Sequence, residues 1–482
     1  MSSTNYHTSA IGARVVTLLV FVISLWPRDA DVLVGLSGAD GLNLVLAKAL
    51  AGGDGLRFVH MPEAPIAVGF PPLHPFLVGM AWRAWPAFPE NLTLFRLLSA
   101  AVLAGAAWLV IAHAIRLAVP RLAVYASTLL GFSYVPLLSV GVLLSEEPLL
   151  LLVAAVALWF ADRRDDRKSS AFLAGTFAGL AALTAQWGVI MIPAVAIGFA
   201  TRRQWQSSGV CFGVALLVVL VGRMVFWGAV VGWAGSEIAV TDLATVSGLQ
   251  SDATVTSQLF NALPGRSVFL AVVPAVALAV WGAVSIAREA PTLVSVVALV
   301  VAGIPLGFHA TQWVAIPWFF LLCAIGAVRL GESSPRFRMP GAVLVSLVVI
   351  VYLWGALSTR PGTAFLQELS DQSAAYSKVV SSIAAETPET AVIASRHDAL
   401  VFLYTGRRTL RFRESQPTAE DADARIRLLC NRGATHVLAD SRWPETGNAG
   451  SGFAVAMFRL TDGFGLYRIE CPDSAEDDGD AI

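Results

Sequence analysis

The chain has 482 residues, 56% of them hydrophobic and 14% charged, a balance that excludes an ordinary water-soluble protein and requires several membrane spans. A formal net charge of −1 leaves no basic face to neutralise phosphates, so no nucleic-acid partner is expected. Cys211, Cys323, Cys430 and Cys471 show no CxxC spacing, which signals neither a zinc site nor a thioredoxin-like motif.

Taken in chain order, the candidate spans are Ile11–Pro27, Leu97–Ile115, Leu122–Gly141, Pro148–Phe160, Ala171–Thr184, Trp187–Ala200, Gly209–Trp227, Val268–Ile286, Leu293–Phe308, Trp313–Val328 and Ala342–Leu357. They predict a mainly α, polytopic membrane protein with about 11 transmembrane helices. The first stretch lacks a small-residue cleavage site and reads as a retained span. No internal repeat of the kind many transporters carry is visible.

The segment that decides the topology is "FPPLHPFLVGMAWRAWPAF", residues 70–88, apolar at its centre but interrupted by four prolines. If it does not span, the basic loops sort cleanly. Arg116 with Arg121, "DRRDDRK" (162–168), "TRRQW" (201–205), "ARE" (287–289) and "RLGESSPRFR" (329–338) fall on one side. The loop Gly228–Gly265, with acids but no Lys or Arg between those ends, falls on the other. The positive-inside rule makes the first side cytoplasmic. Residues 70–88 then form an interfacial helix on the outer leaflet, and the N-terminus lies inside. Residues 28–96 form a first extracytoplasmic loop. The division that follows is a transmembrane region 1–357, an extracytoplasmic α/β domain 358–471 and an acidic, disordered tail 472–482. The protein belongs in a cell (inner) membrane.

In the tail, "QSAAYSKVVSSIAAE" has helical spacing, "TAVIAS" reads as a strand and "DALVFLYTG" as a helix ended by Gly406. "RRTLRF" is a strand, "AEDADARIRLLCNRG" a helix, "ATHVLAD" a strand and "GFAVAMFRL…FGLYRIE" a hairpin. The alternation predicts a small, mostly parallel sheet. No glycine-rich phosphate loop follows any strand. On the outer side Cys430 and Cys471 either pair or stay free thiols.

Two acidic features stand out. "LLSEEPLLLL" (143–152) sets Glu146 and Glu147 just inside an apolar run, several residues past a helical hairpin tip, roughly 8 Å below the outer surface. An ionised group at such depth costs about 2.5–3.5 kcal/mol at the helix centre and marks function when it faces a wet cavity. Successive helical residues point about 100° apart, so only one of the two acids faces a given cavity. Asp40 follows the first span in "SGADGLNLVLAKALAGGDG"; it either caps the helix behind it or acts in chemistry.

In that order along the chain, "GAD-GLNLVLAKALAGGDG", "PPLHPFLVGMAW", "LFRLLSAAVLAGAAWL" and "LLSEEPLLLL" resemble bacterial GT-C glycosyltransferases, in the branch of the protein O-mannosyltransferases and the aminoarabinose transferases of lipid A. "HATQWVAIPWFFLLCAIG" and the tail with "LYTGRR" fit the later part of the pattern. The resemblance implies transfer of a sugar from a polyprenyl-phosphate carrier to an acceptor hydroxyl on the extracytoplasmic face. The acceptor class is lipid, glycan or protein, and membrane lipid is the surrounding partner. The resemblance also implies that Asp40 is the first-loop catalytic acid, that Glu147 rather than Glu146 is the second acid, and that Arg96 is the arginine opening the second span. Gly41, Leu44 and Gln186 depart from the pattern.

Without the family, the chemistry still follows. Asp40 as general base deprotonates the acceptor as it attacks the anomeric carbon, with inversion. Arg96 then stabilises the phosphate leaving group, with Lys48, Arg57, His74 or His309 as weaker candidates for substrate contact beside Glu146. No cofactor is expected; a divalent cation at His60, Glu63 and His74 is the disfavoured reading. The rival classes are a lipid or glycan flippase and a non-catalytic assembly subunit of the same fold.

Overall fold

The computed structural model describes residues 3–25, 33–36, 39–132, 144–163, 167–227, 265–303, 312–333, 361–412, 427–440, 454–461 and 464–471. His309, the loop 228–264, the expected span Ala342–Leu357 and the tail 472–482 lie outside these residues. The chain forms two compact units. One comprises Met1–Arg28, Val68–Leu77 and Glu90–Phe365; the other comprises Asp29–Ala67, Val78–Pro89 and Leu366–Ile482.

The first unit is helical. Its described helices are α1 (Ser3–Leu25), α4 (Leu92–Arg116), α5 (Arg121–Phe132), α6 (Glu147–Ala161), α7 (Arg167–Thr184), α8 (Met191–Thr201), α9 (Trp205–Trp227), α10 (Gly265–Ile286), α11 (Pro291–Gly303) and α12 (Gln312–Ser333), with a 3-10 turn Gln186–Ile190 before α8. Each coincides with one of the apolar stretches of the sequence, because an apolar run can satisfy its backbone polar groups only internally once water is absent. Helix α9 leaves Leu216, Leu217, Leu220, Val221, Met224 and Val225 exposed, a surface suited to lipid.

Packing inside this unit relies on small residues, as expected where hydrophobic contrast with lipid is small and van der Waals contact drives association. At Gly175 of α7 a Cβ would sit 2.4 Å from the Cys211 carbonyl of α9, so only glycine permits that approach. Cys211 and Cys323 are buried in the apolar core and form no disulfide.

Helices α2 (Ala39–Gly52) and α3 (Leu73–Ala84) lie between α1 and α4 in the chain. At 12 residues, α3 is roughly 18 Å long. A short helix is thus present within residues 70–88.

The second unit is built on a five-stranded sheet: β1 (Val392–Ser395), β2 (Arg408–Arg411), β3 (His436–Asp440), β4 (Ala454–Thr461) and β5 (Phe464–Glu470), in the order β2-β1-β3-β5-β4. Strands β2, β1 and β3 run parallel, while β5 pairs antiparallel with both β3 and β4. The sheet is mixed rather than mostly parallel, because the terminal hairpin β4–β5 docks on β3. Two further helices are α13 (Pro361–Glu386) and α14 (Asp398–Thr405). Gly406 ends α14 in the left-handed conformation, φ 71°, its N–H bonded to the Phe402 carbonyl at 2.8 Å, the conformation a glycine adopts without strain. Cys430 and Cys471 form a disulfide.

This unit does not follow the chain-order division at residue 357, since the first loop folds with the sheet. Strand β2 is an edge, and an edge presents unpaired backbone groups. The loop covers it: the Thr409 N–H donates to the His60 carbonyl at 2.7 Å, and Arg408 Nη1 donates to the Pro62 carbonyl at 3.0 Å. The loop has its own small hairpin, with Phe58 N–H to Pro65 O and Ala67 N–H to Leu56 O, both 2.9 Å. Arg83 of α3 satisfies the last carbonyls of α2, donating to Ala51 O and Leu50 O at 3.1 Å each, which a helix C-terminus otherwise leaves open.

Candidate functional site

In the first unit the site begins with α4 and α6, which pack against each other and run parallel. Their C-terminal ends meet: His113 Nε2 lies 3.4 Å from Asp162 Oδ2, and the Arg116 guanidinium stacks over the Trp159 ring. Arg96 precedes His113 by about 26 Å of helix, and Glu147 precedes Asp162 by about 22 Å. Both therefore stand at the opposite, N-terminal end of the pair, within about a helical turn of one height. The helix N-termini there favour negative charge.

Glu147 occupies the first turn of α6 ahead of Pro148, and Glu146 is the cap residue but makes no side-chain capping bond. The Glu147 carboxylate is hydrogen-bonded to Ser145, yet its Oε2 is buried with no hydrogen-bond partner. A buried polar atom left unsatisfied costs about 1–3 kcal/mol. Just before the acids, the buried residue Leu144 sits at φ 55°, a left-handed conformation that costs a non-glycine residue about 1–2 kcal/mol. Strain and an unsatisfied acid adjoin each other, a pairing typical of functional sites.

The other end of this unit brings together the five loops that the charge sorting assigned to one side. Arg202 Nη2 pairs with Asp162 Oδ1, and Arg202 Nη1 donates to Ala161 O at 2.7 Å. Arg202 Nη2 also reaches Glu289 O at 3.3 Å, and Arg329 Nη2 lies 3.5 Å from Glu289 Oε1. His74, at the start of α3, is buried; burial pushes its imidazole down to about 4, and its Nδ1 has no partner.

In the second unit the acid of interest is Asp40, wholly buried in the first turn of α2. It does not cap the helix from the N-cap position; its Oδ2 accepts the Gly35 N–H at 2.7 Å. The turn 33–36 that supplies this donor is held from far along the chain. The Leu33 N–H donates to Ser373 Oγ at 2.8 Å, the Val34 N–H donates to the Tyr404 hydroxyl at 3.2 Å, and the His397 ring hydrogen-bonds Gly35. Gly35 has φ 108°, and a Cβ there would lie 2.8 Å from Leu400 Cβ. At Gly41 a Cβ would lie 2.8 Å from Ala399 Cβ. Glycine at 41 is thus what lets α14 approach α2.

Around this contact lies a buried polar pair: His60 Nε2 is 3.2 Å from Asp398 Oδ2. Burial alone would raise the Asp398 carboxyl, but the His60 hydrogen bond and charge, with Arg411, hold it below the usual range. Burial pushes His397 down to about 4, with Arg396 and Arg411 adding to the shift and Asp398 opposing it. Lys48 Nζ stands 4.6 Å from the Phe402 ring centroid. Burial lowers its pKa, and among the described residues it pairs with no carboxylate. Arg57 is exposed and braces its own hairpin through Ala64 O at 3.2 Å; Glu63 is also exposed.

The sequence-predicted residues therefore fall into two groups: Arg96, Glu146, Glu147 and His74 in the helical unit, and Asp40, Lys48 and Arg57 in the other. Among the described residues no group of three His, Cys, Asp or Glu side chains forms a metal-binding set. Sequence reasoning missed Ser373, His397, Asp398 and Tyr404, which lie more than 300 residues from the loop they hold. Only the order of strands and helices in the tail hinted that this region was built around anything.

No protein-family model and no curated protein matches this chain. Among solved structures it is similar to ArnT from Cupriavidus metallidurans bound to undecaprenyl phosphate, with a TM-score of 0.52 and 15% identity over 97% of this chain and 98% of that one. The apo state of the same protein gives a TM-score of 0.49 and 15% identity over the same shares. The chain has the fold of that ArnT structure, that of a polytopic helical membrane protein.

Proposed function

We propose that this chain is an integral-membrane glycosyltransferase of the inner membrane, which moves a sugar from a polyprenyl-phosphate donor to an acceptor hydroxyl on the extracytoplasmic face. The observation that carries the reading is the likeness of fold, over 97% of the chain, to an ArnT structure whose ligand is undecaprenyl phosphate. The lipid-linked donor also follows from location, since nucleotide sugars are not expected outside the inner face.

In this reading the Asp40 carboxylate removes the acceptor proton as the acceptor oxygen bonds to the anomeric carbon. The bond from that carbon to the phosphate oxygen breaks, and its electron pair leaves with the polyprenyl phosphate. One displacement inverts the configuration. Arg96 stabilises the charge gathering on the leaving phosphate, which is the larger part of what such a site must supply; Lys48 is the second cation. Glu147 uses its unsatisfied Oε2 to orient the acceptor, the sugar or a bound cation, and the strained backbone at Leu144 just before it fits that use. The burial of Asp40 keeps bulk water from competing for the sugar.

The test is incubation of the reconstituted protein with a polyprenyl-phosphate sugar labelled in both lipid and sugar. The expected result is release of polyprenyl phosphate in step with label on an acceptor. Movement of the intact lipid between leaflets without cleavage would make the chain a flippase, and neither event would make it a non-catalytic subunit.

A further inference from the structure

The described residues offer a polar knot around Asp162, an apolar face on α9 and the grip of the C-terminal segments on the turn 33–36. The knot already pairs Asp162 with Arg202, and the apolar face is what a bilayer requires. The grip has no such plain account.

Three successive backbone N–H groups, those of Leu33, Val34 and Gly35, each have an assigned acceptor. The first two go to Ser373 Oγ of α13 and to the Tyr404 hydroxyl of α14, and the third goes to Asp40 Oδ2. The His397 ring also hydrogen-bonds the backbone of Gly35. The helix α14 approaches so closely that Leu400 and Ala399 exclude any side chain at Gly35 and Gly41. The Tyr404 ring is itself fixed, edge-on to Phe88 at 5.0 Å, and Phe88 stacks on Trp82 of α3 at 5.5 Å. A fold needing only a closed loop would not require each donor of one turn to be bound from a different helix. A carboxylate that has to point in one direction does, because its aim follows the Gly35 N–H.

We propose that Tyr404 and Ser373, with His397, are positioning residues that aim the Asp40 carboxylate by fixing the turn 33–36, so that the C-terminal segment acts in the transfer reaction without touching substrate. This rests on the reading of Asp40 as base. It assigns the C-terminal segment a part in turnover rather than in recruiting an acceptor.

The experiment measures kcat and KM for the lipid-linked donor with Tyr404→Phe, Asp40→Asn and the double variant, in proteoliposomes of the full chain. Tyr404→Phe keeps the ring packed on Phe88 and removes the acceptor of the Val34 N–H. Misplacement of a catalytic group by about 1 Å costs on the order of 100-fold in rate, so kcat is expected to fall roughly 10- to 100-fold with KM and thermal midpoint unchanged. In the Asp40→Asn background the same change should cost nothing further, because a residue acting only through Asp40 has nothing left to aim. Ser373→Ala, at the neighbouring anchor, serves if Tyr404→Phe does not fold and should behave alike. Normal kcat in the hydroxyl variants, a rise in KM alone, or losses that multiply with Asp40→Asn would overturn the positioning role while leaving the base intact. Full turnover in Asp40→Asn itself would remove the base, and the positioning role with it.

Discussion

The two ends of the α4–α6 pair carry acids in opposite conditions. At one end Asp162 meets His113 and Arg202, while Arg202 also takes the carbonyls of Ala161 and Glu289. At the other, Glu147 keeps one buried oxygen with no hydrogen-bond partner beside a strained Leu144. The same residue class thus serves as a fastening in one place and stands poised in the other. Both acids keep a buried oxygen without a hydrogen bond; Asp162 differs in its paired cation Arg202, so burial without a counter-charge, rather than burial alone, marks the poised acid.

That contrast can be broken by mutation, and the largest effect is expected at the fastened end. Asp162→Asn leaves Arg202 without its buried counter-charge, and breaking such a pair costs about 3–5 kcal/mol. The detergent-solubilised protein should lose expression and thermal midpoint, while the fraction that folds should keep its kcat. A fall in kcat at unchanged stability would mean that the two ends are not distinct in role.

Glu147→Gln should do the reverse. The amide keeps the shape and loses the charge, so stability should hold or rise, while kcat falls about 100-fold if orientation is the role. Stable, fully active Glu147→Gln with inactive Glu146→Gln would move the role to the neighbouring acid.

The smallest effect is a pH dependence of the second unit. Burial, the first cause, depresses His397 from an ordinary value of 6.5 to about 4, so its neutral form belongs to the folded state. Between those values the unfolded chain binds more protons than the folded one. Its contribution to stability is therefore complete above about 6.5, declines as pH falls toward 4, and changes no further below. Asp398, held below the ordinary carboxylate range, loses its contribution only at still lower pH, beneath 3.8. Denaturation midpoints measured across pH 4 to 7 should fall with acid in the parent chain and fall less in His397→Gln.

Much of the architecture is legible in the sequence because apolar length is a strong signal. Every helix of the first unit described here lies on a predicted stretch, and loops sorted by Lys and Arg alone do meet, as Arg202, Glu289 and Arg329 attest. The short helix at 70–88 was legible through its prolines. The site was legible only in part. Asp40, Glu147 and Arg96 announce themselves as charges near apolar runs, and "DALVFLYTG" was readable as a helix. Nothing local indicates that Tyr404 in that helix accepts a bond from Val34, 370 residues away. Nor does "RRTLRF" reveal that its edge is covered by the first loop, since a strand's partner depends on topology rather than composition. The unsatisfied Glu147 oxygen is likewise a fact of packing.

The most direct test of the account is turnover of the Asp40→Asn protein, reconstituted at parental levels, with a polyprenyl-phosphate sugar and its acceptor. General-base catalysis contributes about 10²- to 10⁴-fold, and loss of kcat in that range, with donor binding retained, is the predicted result. Near-normal kcat would contradict it and return Asp40 to a structural part at the start of α2.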